Sequence, residues 1–267
     1  MCQGLRDAER TMREDPSEPL PIIYRDDHYI AINKPAGLLV HRSPIDDQAT
    51  HFALQLLRDQ IGQHVYPIHR LDKPTSGVLL FALDAAAARH LSRAFVQRQI
   101  DKTYLAIVRG YTAHDGVIDY PLAVETERWG KTRTDVKQAT AQTTYQTLAR
   151  VELPVAVGRY ASSRYSLLEI SPHTGRRRQI RRHMKHISHP IIGDVKYGQG
   201  RHNRFFRTAY NCHRLLLSAT QLSFIHPYTQ SHIRLTAPLD HVFVNLIRQL
   251  GWIDRLPNAW CSRQQRS

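Results

Sequence analysis

The sequence predicts an α+β fold built on a mainly antiparallel sheet. Strand-like apolar runs are many, helices between them are few, and no internal repeat occurs, which argues against a doubly wound parallel sheet. The chain has 267 residues, 42% of them hydrophobic, enough to bury a full core. One domain is expected over 22–257, between a disordered N-terminal tail, 1–21, and a basic C-terminal tail, 258–267.

The tail is rich in Arg, Asp, Glu, Pro and Ser, whose burial cannot offset the entropy of ordering. Ile22–Tyr24 and Tyr29–Ile32 flank Asp26-Asp27 as strand, turn and strand. Asn33-Lys34-Pro35-Ala36-Gly37 breaks the pattern, and Leu38–His41 resumes it. Val78-Leu79-Leu80-Phe81 reads as a buried strand. Asp84 stands where an N-cap belongs, and Ala87, Leu91, Ala94 and Phe95 recur at helical spacing, so the spacing predicts a helix over 85–98. Tyr104–Val108 is a short apolar strand ending at Gly110. Residues 111–140 show no sustained period and carry Asp115-Gly116 and Trp129-Gly130, the pattern of loops with short strands. Thr144–Val151 and Ser163–Ile170 alternate and form a hairpin. After Thr174-Gly175, the spacing of Ile180, His183, Met184 and Ile187 predicts a helix that Pro190 ends. Leu215–Leu217, Leu222–Phe224 and His232–Leu235 are closing strands, and Phe243–Leu250 a last helix ending at Gly251.

With 37 Lys and Arg against 23 Asp and Glu, a formal charge of +14 and a pI near 10.0, the chain suits a polyanionic partner. Cys2, Cys212 and Cys261 form no CxxC pair, which fits a reducing, cytoplasmic setting without a disulfide framework or zinc knuckle. The N-terminus lacks the apolar core of a signal peptide, and no apolar run of about 18 residues suggests a membrane span.

The chemistry concentrates in His69-Arg70-Leu71-Asp72, followed by the turn Lys73-Pro74-Thr75-Ser76-Gly77. A loop carboxylate can be a nucleophile, a general base, a metal ligand or a turn-stabilising Asx residue. Beside Asp72, Arg70 offers a planar cation for phosphate contact or base stacking, and Gly77 permits a tight return into the strand. Tyr104 is either a half-buried strand tyrosine or a ring that stacks on a base. The run from Gly175 to His186 sets Arg176, Arg177, Arg178, Arg181, Arg182 and Lys185 on a helix whose other side is apolar, as a helix that tracks phosphates would. Ile180 must point inward, so Arg181 lies at the edge of the buried stripe and can reach inside. His183, His186 and His189 recur every three residues, but no HExxH, paired Cys or adjacent acid accompanies them, so no metal site is expected. A Gly-rich phosphate loop, a G-x-S-x-G elbow and a second carboxylate beside Asp72 are also missing.

These motifs resemble the RluA-type pseudouridine synthases. His69–Asp72 with Thr75–Leu80 is similar to that family's catalytic motif, Tyr104–Gly110 to its second, and Gly175-Arg176 with Gln179-Ile180-Arg181 to its third. The resemblance spans about Ile22 to Leu239 and includes Asn33-Lys34-Pro35, Gly37, Val40-His41, His189–Asp194 and Arg214–Leu217. Within the family the chain is most similar to the branch that modifies uridine 65 of tRNA, through Arg58–Val65, Pro74, Leu153–Tyr160 and Arg201–Arg204. Arg178 and Ser218 stand where the family commonly has His. The N-terminal S4 domain of some relatives has no room here.

The resemblance implies the pseudouridine synthase fold and a catalytic domain that isomerises uridine to pseudouridine in tRNA, without cofactor or metal. The N-glycosidic bond breaks, the base turns and C5 is rejoined to C1′. It implies Asp72 as the essential carboxylate, attacking C1′ or C6 or promoting a glycal intermediate, with Tyr104 and Arg181 as the other catalytic residues. A buried carboxylate tends to lose its charge unless an opposite charge faces it, which suits Arg181 as partner. The target base must leave its stack. Arg70 would fill the gap, Tyr104 would stack on the base and help remove the C5 proton, and His69, Arg176, Arg177, Arg182 and Lys185 would contact the RNA. The same chemistry on ribosomal RNA or another tRNA site is the nearest alternative, and a non-catalytic RNA chaperone belongs to a different class. The enzyme is expected to act as a monomer with no obligate protein partner.

Overall fold

The structure is a computed structural model that describes residues 18–41, 51–128 and 131–261, the side chains of 125–128 and 131–136 excepted. Residues 1–17 and 262–267 of the two expected tails, and the Trp129-Gly130 break, lie outside the described residues.

β1 (Ile22–Arg25) and β2 (Tyr29–Lys34) form the first hairpin, closed by the Asp26 carboxylate, which accepts the backbone N–H groups of His28 and Tyr29 at 2.8 and 2.6 Å. α1 (Ala53–Ile61) and the short β3 (Tyr66–Pro67) precede β4 (Ser76–Ala82), which is buried at every position. Asp84 caps α2 (Ala85–Val96) by accepting from the N–H groups of Ala86 and Ala87. β5 (Asp101–Arg109) and β6 (Asp115–Asp119) follow, then β7 (Leu122–Arg128) and β8 (Lys131–Ala139), which pair only with each other. The long hairpin of β9 (Gln142–Leu153) and β10 (Ser163–Pro172) leads to α3 (Gln179–His186) and α4 (Gly200–Tyr210). β11 (Leu217–Ile225), β12 (His232–Thr236), α5 (His241–Gln249) and α6 (Asn258–Cys261) complete the order.

The main sheet runs β1-β2-β4-β11-β5-β10-β9-β6, with β12 beside β11 and β3 beside β4. All pairings are antiparallel except β4 with β11, which align in parallel at two positions, Ser218 with Ser76 and Ala219 with Gly77. This seam joins two half-sheets. In the first half, Leu79 and Phe81 pack with Leu57 under α1, while Val78 and Leu80 pack with Ala87 and Leu91 under α2. In the second, Leu105 and Ile107 pack with Phe206 and Phe243 under α4 and α5, and Ala106 and Val108 with Ile180 and Met184 under α3. The period-2 alternation of β4 and β5 thus feeds four cores, two per half.

Four expectations change. α1 and α4 were not expected; α1 carries a helical spacing in Ala53, Leu57 and Ile61 and ends at left-handed Gly62, whereas the apolar stripe of α4 is diluted by His202 and three arginines. Leu38–His41 makes only one bridge, Leu39 with Phe52, because Pro35 and the left-handed Gly37 have already turned the chain out of the sheet. The region 111–140 contains a long polar hairpin, hidden from hydrophobic periodicity because β7 and β8 lie outside the main sheet. Order extends beyond 22–257 at both ends: Leu20 exchanges hydrogen bonds with the Gln60 amide, and Trp260, expected in a tail, is buried with its carbonyl on the Leu239 N–H. Among the described residues no helix is long and apolar enough to cross a membrane.

Two inward-facing histidines tie helices to strands. His202 on α4 meets the Tyr165 hydroxyl at 2.8 Å, and burial followed by the nearby Arg109 pulls its pKa down to about 4. His69 stacks on Phe95 of α2 and accepts the Leu80 N–H through Nε2 at 3.1 Å; burial, then Lys102, pulls it down to about 3. Both values lie below the 6.5 of an exposed histidine, so on acidification the unfolded chain takes up protons that the native state refuses. Stability from these two groups is complete above about pH 6.5 and is lost as the pH falls towards 4 and then 3. Urea unfolding at pH 7.5, 6 and 5 is expected to give a falling midpoint; a flat or rising one would refute neutral burial of both rings.

Candidate active site

The loop carrying Asp72 is fixed at both ends. Leu71 is buried in the core under α1, which turns Asp72 to the rim with 19% of its side chain exposed. The Asp72 carbonyl accepts the Thr75 N–H at 3.0 Å and closes the turn. Lys34, fully buried at the end of β2, spends its ammonium on the carbonyls of Pro35 and Leu38 at 2.8 Å and Lys73 at 3.2 Å. A lysine has three protons to donate, and these three carbonyls accept from it beside the Asp72 turn. On the other side, Gly77 has φ +111°, and a Cβ there would lie 2.1 Å from the Ala219 carbonyl oxygen, so only glycine lets β4 meet β11. Ser76 Oγ lies 3.1 Å from Ser218 Oγ and accepts from Arg214, which is ion-paired with Asp240. Ser218, one of the two departures from the family pattern, is thereby a seam contact.

α3 supplies the opposing charge. Its first turn is pinned by Gln179, whose amide oxygen accepts from the Thr174 hydroxyl and the Arg176 N–H, while its amide nitrogen donates to the Gln142 carbonyl and the Thr143 hydroxyl. Arg178, the other departure, takes a left-handed conformation at the N-cap, with φ 55°. Ile180 and Met184 face the core, and Arg181, 7% exposed, turns inward beside them. Its Nη1 donates to Asp72 Oδ2 at 3.0 Å. Its Nε and Nη2 donate to Asp194 Oδ2 and Oδ1 at 2.7 and 2.9 Å, a bidentate pair with a carboxylate that is 1% exposed. Asp194 Oδ1 also accepts the N–H groups of Lys196 and Tyr197. Burial works against the Arg181 charge, but hydrogen bonding and attraction from Asp194, then Asp72, hold its pKa above the ordinary value, so it is a permanent cation.

Tyr104 on β5 packs against the cores of both half-sheets. Burial, and secondarily the Asp72 charge, push its phenol upward, so it stays protonated, and among the described residues its hydroxyl makes no hydrogen bond. Asp72, Tyr104 and Arg181 therefore meet from three separate segments. Arg70 is exposed beside them and, with His41, Pro67, Ile68 and His69, lines an open cleft of about 280 Å³.

The residues expected at RNA divide. Lys185 and Arg176 are exposed, although Arg176 Nε also donates to the Thr140 carbonyl. Arg177 is half-buried, and Arg182 Nη1 donates to the Ala123 carbonyl at the foot of the β7–β8 hairpin. His69 lines the cleft beside Arg70, with Nε2 accepting the Leu80 N–H and its ring stacked on Phe95. The histidine series points three ways. His183 bridges Thr143 and the Tyr120 carbonyl, His186 stacks on the Tyr120 ring at 3.6 Å, and His189 bonds the Arg109 carbonyl. Among the described residues no cluster of His, Cys, Asp or Glu could hold a metal ion.

Lys34 and Asp194 received no role from sequence reasoning, although both lie within motifs that carried the resemblance. Their signal was chemical. Lys34 interrupts the end of an apolar strand, and Asp194 is the only acid between Ile170 and Leu239.

Comparison with known proteins shows the family. Residues 28–186 match the family model described as RNA pseudouridylate synthase. The tRNA pseudouridine synthase C of Haemophilus ducreyi is 55% identical over 87% of this chain and 96% of its own length, and that of Vibrio cholerae is 48% identical over 89% and 98%. Among solved structures, human RNA pseudouridylate synthase domain containing 4 superposes with a TM-score of 0.66 at 26% identity, covering 93% of this chain and 97% of its own. Human RNA pseudouridylate synthase domain containing 1 gives 0.63 at 26% identity, covering 82% and 83%. With the family model covering more than half of the sequence, the chain belongs to the RNA pseudouridylate synthase family.

Proposed function

We propose that the enzyme isomerises uridine to pseudouridine at position 65 of tRNA, in the cytoplasm and as a monomer. The observation that carries the reading is the Asp72–Arg181–Asp194 ion triad at the seam, with Tyr104 packed into both adjoining cores. Similarity to tRNA pseudouridine synthase C over most of the chain supports tRNA as the substrate.

In this mechanism the uridine leaves its stack, at a cost of a few kcal/mol, and enters beside Asp72. Arg70, exposed on the same loop, occupies the vacated place in the RNA stack. The Asp72 carboxylate, held and oriented by the Arg181 guanidinium, initiates cleavage between N1 and C1′. The base turns, C5 bonds to C1′, the C5 proton departs and N1 gains one, so the reaction is redox-neutral and calls for no cofactor. Tyr104 stacks on the turned base and presents a neutral hydroxyl to the moving proton. Arg176, Arg177, Arg182 and Lys185 contact the phosphates, with Arg176 also bonded to the Thr140 carbonyl in the β8–β9 connection and Arg182 to the Ala123 carbonyl at the start of β7. Asp194 positions Arg181 without touching substrate.

The reading is tested by incubating the enzyme with unmodified tRNA and mapping pseudouridine by mass spectrometry after a derivatisation that adds mass to it. Asp72→Asn is expected to lower turnover by at least about 10³-fold while leaving the Kd for tRNA within about threefold, and retained turnover would remove Asp72 from the reaction. Tyr104→Phe keeps the ring and removes the hydroxyl, with an expected loss of about 10²-fold; near-normal activity would confine Tyr104 to stacking. Asp194→Asn leaves a buried guanidinium with one charged partner and turns an amide N–H2 towards it, so urea unfolding is expected to show a loss of about 3–5 kcal/mol, larger than for the partly exposed Asp72→Asn. The reverse ranking would show that Asp194 is not the main anchor of Arg181.

A further inference from the structure

From Ile170 to Leu239 the only acidic residue is Asp194, and it is buried against Arg181, so the surface of this stretch carries no exposed carboxylate. Within it, α4 presents Arg201, Arg204 and Arg207 to solvent. Successive members advance about 4.5 Å along the helix axis, and the three stay on one face. Among the described residues their guanidinium groups make no hydrogen bond or ion pair, whereas Arg164 and Arg214 elsewhere pair with Glu152 and Asp240. The opposite face is anchored by buried His202 and Phe206.

α4 is also indexed to the active site. The Asn203 side chain accepts the Gly193 N–H and donates to the Asp194 carbonyl, both at 2.9 Å. Gly198 donates to that same carbonyl, and a Cβ on it would lie 2.2 Å from the oxygen. The arginine row therefore stands in a fixed relation to the carboxylate that holds Arg181.

We propose that the exposed face of α4 is a docking surface for the phosphate backbone of the RNA substrate, away from the target uridine, which sets how the RNA lies across the enzyme. This rests on the reading of the enzyme as acting on tRNA. Three unpaired guanidinium groups in a row, each able to grip a phosphate through two N–H donors, complement a polyanion. Because the loop holding Asp194 is shared, an RNA seated on α4 is positioned relative to Asp72 before its uridine is extruded.

The test is a tRNA binding titration at several salt concentrations with the full chain. Arg201, Arg204 and Arg207 are replaced together by Gln, and separately by Lys, with circular dichroism and thermal melting to verify folding. The Gln variant is expected to bind tRNA about tenfold or more weakly near 0.1 M salt, with the slope of log affinity against log salt reduced by about 2–3; the Lys variant retains the slope. A comparison variant with Arg25, Arg89 and Arg234 changed to Gln removes the same charge from exposed positions on β1, α2 and β12 and is expected to lose less affinity. Unchanged affinity and slope in the α4 Gln variant, including the case where α4 serves a protein instead, would overturn the proposal. An equal loss in the comparison variant would overturn it too, by assigning the effect to net charge. Binding is read apart from turnover, so failure of the wild type to make pseudouridine would instead fall on the functional reading.

Discussion

One guanidinium shared between two carboxylates organises this enzyme. Arg181 has three donor directions inside the protein, and Asp194 takes the two on its edge while Asp72 takes the third. The bidentate half fixes the plane of the cation, which leaves the remaining N–H with one direction. Burying a cation is costly, and a second, fully enclosed carboxylate offsets that cost without drawing on Asp72. Asp72 keeps one oxygen outside this bond and part of its side chain exposed, as chemistry on a large substrate requires.

The surrounding structure keeps that arrangement from relaxing. Lys34 grips the Asp72 turn through backbone carbonyls, Gln179 fixes the first turn of α3, and Asn203 ties α4 to the Asp194 loop. Each bond reaches backbone or a fully bonded side chain, so the reactive groups are held by atoms whose own positions are set by secondary structure. Tyr104 joins them through register: β5 alternates between two cores at Leu105–Val108, and the residue before that run falls where both half-sheets contribute walls.

Much of this was legible in the sequence, for identifiable reasons. β4 and β5 are apolar runs bounded by glycine, α2 has an aspartate cap, and α3 has an apolar stripe ended by proline, so each announces itself locally. The placement of Arg181 beside Ile180 followed from helical spacing alone. α4 was hidden because its buried face uses a histidine and an aromatic among arginines, and the β7–β8 hairpin because hydrophobic alternation marks strands with a buried face in a main sheet. The bond of Lys34 to the Lys73 carbonyl, the pairing of Asp194 with Arg181 and the contacts of His69 with Leu80 and Phe95 join separate segments of the chain, and no local pattern encodes those.

The seam between the half-sheets is short, two aligned residue pairs beside a glycine that no other residue can replace without displacing Ala219. Asp72 arrives from one half, Tyr104 and Arg181 from the other. The Arg181–Asp72 bond therefore also works as a cross-stitch between two packing units, and under the proposed mechanism reactivity becomes a gauge of their alignment. A substitution in either half that left its own core intact but shifted it by a fraction of an ångström would register first as a catalytic defect, well before it registered as lost stability.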